Sequence, residues 1–464
     1  MEDNPSDKLT KAQKLPLIRE YRAAWDNVHT EETARQGKSI PMKFDGLAWE
    51  LGGGVLAESI WAKGVQFRQL PSRIRGISEH TWTTSFSLNM DDFTIDPGQD
   101  LLAALERVSS NQSVLPSFCC CPPSHEECLL DILSTYVLCR RESDIHWQAN
   151  LLPVNVSAIH IRTAFEIRIN GDLLGILARQ ESYHINQTWS CINVWNWRTG
   201  EHLLSSTEQP LSFLFMGDRY LLTLKPPDIL EGPAIVVHDI FVPSRRWMFQ
   251  LPLVQGTVGG GSPGEGGGRI LIREMNFISE TGLYPNLDVV SEPGATWRPS
   301  TMLSPFYVAR REKLIVLVMN LIFNRRQPMV SLTVSTLSSR LLACIEAVEP
   351  PIEGVDRRIM WQDWGDKNCR MGYWPNRWDG GWPCVSTYGT KYACLEKNRV
   401  TLYDFNQPAV RHGASRNGDH EGSNSTEYVM HSTDLETGFF DKPVVTSLPY
   451  RKRTPENPHI ALIP

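Results

Sequence analysis

Long apolar runs, concentrated positive charge and a cysteine density sufficient for a disulfide scaffold are all lacking in this 464-residue chain, and each lack excludes a class of protein. The longest apolar stretch runs from Leu314 to Phe323 and is interrupted at Asn320. A helix crossing a bilayer needs about 20 such residues, so no membrane span is expected. Lys and Arg total 46 against 52 Asp and Glu, a net charge of -6. That balance attracts neither nucleic acid nor an anionic lipid surface, since both require clustered cations. Met1 to Lys8 holds no apolar run behind a positive charge, the mark of a secretory leader, and a cytoplasmic or nuclear location is expected. In that setting the 10 Cys remain thiols, too sparse for a disulfide scaffold. The sequons at Asn111, Asn155, Asn186 and Asn424 are then chance matches.

Signatures of catalysis and metal binding are also thin. Gly260, Ser262 and Gly264 fit the G-x-S-x-G esterase elbow, but the residue after the Ser must donate its N–H to an oxyanion, and Pro263 has none. Gly259, Gly261 and Gly264 fit a dinucleotide-binding motif, yet a strand-like Arg269-Ile270-Leu271-Ile272 follows instead of the phosphate-binding helix. Cys119, Cys120, Cys121, His125 and Cys128 crowd soft ligands together without the two-residue knuckle spacing of a closed zinc site. Asp91-Asp92 and the pair Asp363 and Asp366 read as solvated turns. No catalytic residue, metal or cofactor is assigned. A hydrolase would need a nucleophile beside a base, and the spacing of the 12 His shows no such partner.

What the chain does contain is one helix and many short strands. Pro16, Leu17, Ile18, Tyr21, Trp25 and Val28 recur at helical spacing, with Pro16 suited to the first turn. From residue 46 onward, short Val, Ile, Leu, Phe and Trp runs alternate with Gly, Asn, Asp and Pro, the pattern of strands and turns. Phe165, Ile167 and Ile169 alternate strictly and lead into Asn170-Gly171, a pair suited to positive φ at both positions of a hairpin turn. Val194-Trp195-Asn196, Val237-His238-Asp239 and Leu402-Tyr403-Asp404 share an apolar, aromatic, Asn/Asp ending at intervals near multiples of a propeller blade, about 40 to 45 residues. Trp197 to Gly200 then reads as the onward turn. The expected fold is all-β: a β-propeller of the WD-repeat type following an N-terminal helical segment over 1–45. Residues 46–410 allow about seven blades of about 52 residues, with 411–464 closing or packing on them. Two packed sandwiches are the alternative. Residues 107–128, 256–268 and 406–426 read as exposed excursions.

The densest chemistry lies in 361–382, with five Trp in 22 residues. Trp and Arg dominate the energetics of binding surfaces, so Trp361, Trp364, Arg370, Trp374, Arg377, Trp378 and Trp382 are the candidate binding residues. The same side chains could instead fill space between blades.

Several blocks, in order, cover nearly the whole chain: Asp92 to Leu102, Gly171 to Gly175, Asn193 to Gly200, Gly217 to Leu222, Tyr388 to Lys391 and Pro443 to Arg451. Together they resemble the F-box proteins of mushroom-forming fungi. That resemblance implies a protein-binding role: an N-terminal F-box grips the Skp adaptor of a cullin-type ubiquitin ligase, and a propeller-like region captures a target protein. Leu15 to Trp25 is similar to the helix that follows the F-box in that family. The F-box itself has no counterpart in the residues before it, so the Skp adaptor is a partner only if an F-box lies upstream. A carbohydrate- or small-ligand-binding propeller using the same Trp and Arg side chains is the alternative function.

Overall fold

The structure is a computed structural model that describes residues 2–3, 10–26, 48–60, 64–71, 78–85, 90–99, 101–108, 130–139, 152–157, 162–181, 189–227, 231–254, 270–279, 306–307, 312–323, 330–375, 386–396, 399–417, 426–435 and 440–454. It is all-β, with strands paired into consecutive blades as in a β-propeller, and one helix stands near the N-terminus. Among the described residues, five blades pair four strands in chain order, not the seven expected from length. They begin at Trp49, Met90, Arg162, Phe213 and Ile270. A sixth sheet joins Ser386–Tyr388, Lys391–Glu396 and Arg399–Asp404 to Tyr450–Arg453, which also pairs with Thr426–Val429. The boundary placed at residue 410 therefore passes through this sheet. Strands of up to 10 residues, and an insertion within the fifth blade, use the chain that more numerous WD-type blades would have taken.

The helix Lys11–Asp26 starts earlier than the apolar spacing indicated. Its start is a capping box: the Thr10 hydroxyl accepts the Gln13 N–H at 3.4 Å while the Gln13 side chain accepts the Thr10 N–H at 2.8 Å. Pro16 consequently sits inside the helix, where its ring nitrogen forfeits the bond to the Ala12 carbonyl. The hairpin of the third blade is present, displaced by one residue. Asn170 pairs with Leu173, leaving Gly171-Asp172 as the turn, and Gly171 takes the positive φ of 58° while Asn170 remains a buried strand residue.

The two compact units each stack their blades face to face. One holds the first three blades, and the other holds the fourth, the fifth and the sixth sheet. Parity along the strand decides which neighbour a side chain meets. In Leu101-Leu102-Ala103-Ala104-Leu105, Leu102 and Ala104 pack with Val55, Val65 and Phe93 on the first-blade side. Leu101, Ala103 and Leu105 pack with Ile169, Ile176 and Trp195 of the third blade. The fifth blade repeats the scheme. Ile315, Leu317, Met319 and Leu321 join the fourth blade's core, while Leu314, Val316 and Val318 join that of the sixth sheet. A strand buried on both faces loses its alternation and becomes a continuous apolar run. Each such side chain contributes about 1.5–3 kcal/mol when removed from water.

The repeat seen in the sequence is a repeated backbone contact. Asn196, Asp239 and Asp404 each end the third strand of their sheet, and the following N–H returns to the turn between strands one and two. Trp197 donates to Asp172, Ile240 to Arg219 and Phe405 to Thr390, at 2.9 to 3.0 Å. Leu70 to Gly54 and Ser338 to Lys313 make the same bond in the first and fifth blades without an Asn or Asp. The Asx side chain adds a local clasp: Asp239 Oδ1 accepts the Phe241 N–H at 3.2 Å, and Asp404 Oδ1 accepts the Asn406 N–H at 3.0 Å. Asp91 and Asp92 belong to the strand Met90–Asp96, and Asp363 and Asp366 to a helix, so neither pair is a turn. Residues 407–417 form a helix within a segment read as an excursion.

Candidate functional site

The start of the Trp-rich segment, through Asn368, belongs to an insertion between the third and fourth strands of the fifth blade, and Arg370 and Trp374 lie on that fourth strand, Cys369–Pro375. The insertion comprises the helix Ser338–Glu346, a loop, the strand Arg357–Ile359 and the helix Trp361–Asn368. The strand adds in parallel to the outer edge of the fourth blade, with Trp247 opposite Arg357 and Phe249 opposite Ile359. Trp361 and Trp364 then point inward, 6% and 1% exposed, and their rings meet edge to face at 5.2 Å. Trp364 also packs edge-on against Phe249 at 5.1 Å and donates its indole N–H to the Gln250 carbonyl at 3.1 Å. Gly365 is the small residue this packing needs, because a Cβ there would stand 2.3 Å from the Trp361 ring.

Arg370 is also interior, at 6% exposure. Its guanidinium donates to the carbonyls of Leu448, Thr446 and His431 at 2.9, 3.2 and 3.1 Å, and to the Thr433 hydroxyl at 2.6 Å. It lies 5.1 Å from the Tyr450 ring centre, and burial lowers its proton affinity. These bonds gather the C-terminal strands onto the fifth blade. Trp361, Trp364 and Arg370 therefore serve as packing, the reading set beside binding for this segment. Arg377, Trp378 and Trp382 lie outside the described residues, as does the side chain of Trp374. So do Cys119, Cys120, Cys121, His125 and Cys128 and the Gly-rich motifs at 259–264. Among the described residues, no group of three or more His, Cys, Asp or Glu could hold a metal ion, and no helix is long and apolar enough to cross a membrane.

Among the described residues, exposed large apolar side chains include Trp49 and Met360, and three of the most exposed lie on the same insertion and on the blade it joins. Phe241, Ile352 and Val355 are 61%, 77% and 60% exposed. Phe241 is held out by the tight turn after Asp239, in which Val242 donates to the Asp239 carbonyl and Arg245 to the Val242 carbonyl. Val355 donates to the Ile352 carbonyl at 3.0 Å across a turn in which Gly354 has a φ of 77°. The parallel register places Val355 and Asp356 just before Arg357, at the end of the blade where Phe241 and Arg246 also lie. Arg246 fixes that end. It donates to both Asp356 carboxylate oxygens at 2.7 Å and to Glu208, and these bonds hold the guanidinium firmly charged. Sequence reading missed this site because Phe241, Ile352 and Val355 are far apart in the chain and ordinary in type. Exposure and a shared end of one blade distinguish them.

Two further ionisable groups, buried His238 and partly buried Glu50, are shifted from their ordinary values. His238 on the third strand of the fourth blade bonds the Thr223 hydroxyl at 2.9 Å, and burial, with a contribution from Arg246, lowers its pKa to about 4. Glu50, on the inner strand of the first blade, bonds the second blade through Thr94 and Ile95, and burial raises its pKa to about 8.

The fold and surface described define a propeller-type protein. No protein-family description and no curated protein matches the chain. Among solved structures, the Chaetomium thermophilum heterotrimeric Nup82 NTD-Nup159 TAIL-Nup145N APD complex aligns over 85% of this chain and 87% of the matched one, at 10% identity and a TM-score of 0.31. Cobalt-substituted Synechocystis ACO aligns over 60% of this chain and 54% of its own, at 9% identity and a TM-score of 0.28. A mutant of Synechocystis apocarotenoid oxygenase covers 69% of this chain and 60% of its own, at 9% identity and a TM-score of 0.29. Likeness at that level assigns no function to the chain.

Proposed function

We propose that this chain is a non-enzymatic protein-interaction propeller acting in the cytoplasm or nucleus, and that it grips a partner protein with the outer end of its fourth blade. The observation that carries the reading is the trio Phe241, Ile352 and Val355, large apolar side chains held out in water by hydrogen-bonded turns and bordered by the Arg246, Asp356 and Glu208 ion pairs. An apolar centre with a charged rim is the usual anatomy of a protein-binding patch. The fungal F-box resemblance supports a narrower role, capture of a target protein for a cullin-type ubiquitin ligase. A glycan-binding role loses support, since Trp361, Trp364 and Arg370 are interior.

The test compares proteins retained by the chain with those retained by a Phe241→Ser, Ile352→Ser, Val355→Ser variant. These side chains are exposed, so the variant is expected to melt within a few degrees of the parent while losing one or more partners at least tenfold. Equal retention by both proteins would refute the assignment. For the narrower role, joining the chain to an F-box should lower the abundance of the retained protein in cells.

A further inference from the structure

The end of the fourth blade that displays Phe241, Ile352 and Val355 is also rich in carboxylates. The segment that leads from the helix Ser338–Glu346 back to the blade carries Glu346, Glu349, Glu353 and Asp356 before its first cation, Arg357. The three glutamates are exposed and Asp356 is half-buried. Pro350-Pro351 stiffens this segment, and Pro351 is buried. The turn closed by the Val355 N–H on the Ile352 carbonyl then holds Glu353 between the two exposed apolar residues. Glu346 belongs to the same end. Burial raises the pKa of Tyr220, which stands opposite Asp239, and Glu346 and Asp239 add to the rise while Arg219 and Arg245 oppose it.

The nearest cations are already engaged. Arg246 bonds Asp356 and Glu208, and Arg219 bonds the buried Asp239 at 2.7 Å. That leaves Arg245 and Arg357 to set against Asp218, Glu346, Glu349 and Glu353, so this end of the blade carries an excess of negative charge. Resting on the reading that the patch grips a protein, we infer that the segment it takes is basic and apolar together. Its apolar side chains cover Phe241, Ile352 and Val355, and Lys or Arg between them meets the carboxylates. Covering the trio draws the surrounding carboxylates out of water, which costs free energy unless cations meet them. An acidic segment is repelled, so the rim that admits one class of partner rejects the other. A second copy of this chain would bring the same acidic end against itself.

The test uses the full chain and fluorescent synthetic peptides with identical leucines, one interleaved with lysines and one with glutamates. A lysine-serine peptide controls for charge alone. The lysine-leucine peptide should bind about tenfold tighter than either of the others, and its advantage over the glutamate peptide should shrink as salt is raised. Glu349→Gln, Glu353→Gln should weaken its binding severalfold and flatten the salt dependence. Both side chains are exposed, so the melting temperature should not change. Equal binding of lysine and glutamate peptides, no binding of either, or undiminished binding by the glutamine variant would overturn the inference. In those cases the patch still grips a protein if Phe241→Ser, Ile352→Ser, Val355→Ser loses partners that the parent retains. Dimerisation of the parent, abolished in that serine variant, would give the patch to a second copy and overturn the inference as well. A serine variant that binds the lysine-leucine peptide as tightly as the parent would refute both readings.

Discussion

His238 shows how a single buried group sets the acid limit of a blade. Its neutral ring bonds Thr223, and charging it would place a cation inside the sheet near Arg246. The unfolded chain binds this proton below its ordinary 6.5 while the folded chain resists until about 4. Stability from this group is thus present above 6.5 and lost as pH falls toward 4, by about 3 kcal/mol over the whole interval. His238→Gln, which keeps a polar partner for Thr223 and cannot be charged, should flatten the pH dependence between 4 and 6.5 in denaturant titrations. An unchanged acid slope would place the sensitivity elsewhere.

The helix Trp361–Asn368 reverses a standard expectation at the scale of an element. Replacing a helix-interior Gly by Ala ordinarily stabilises a protein by up to about 1 kcal/mol. At Gly365 the added methyl would meet the Trp361 ring at 2.3 Å, and that ring is itself packed on Trp364. Gly365→Ala should therefore destabilise the protein by about 1–3 kcal/mol, the range for overpacking, as read from the denaturation midpoint. Little of this element was legible in the sequence. The five clustered Trp marked the segment as unusual, but residue type does not distinguish an exposed anchor from a buried one. Burial here depends on a parallel strand pairing that no local pattern announces. The same limit hid Phe241, Ile352 and Val355, which share one end of a blade only after that pairing forms.

For the whole molecule, the blade architecture was legible where local chemistry repeats: the Asn196, Asp239 and Asp404 endings, the Gly171 hairpin and the alternation at Phe165, Ile167 and Ile169. The number of blades was not, because division of length by a mean repeat ignores insertions and long strands. Stacking on both faces leads to a further expectation. In a sheet with one wet face, charge is tolerated at every second position. In the fifth blade, Val316→Asp and Leu317→Asp point to opposite cores, and both should cost several kcal/mol and abolish folded protein in expression trials. Tolerance at either position would mean that one face of this blade is open.

The parallel strand borrowed by the fourth blade also orders events in time. Its fastening partners, Arg246 and Asp356, are 110 residues apart. A ribosome therefore finishes the blade's own four strands long before the segment that sheathes them is made. Until then the outer edge of Arg246–Gln250 stands with unpaired N–H and C=O groups, open to the wrong neighbour. Throughout the interval of translation between those two residues, that edge can pair with a strand of another chain.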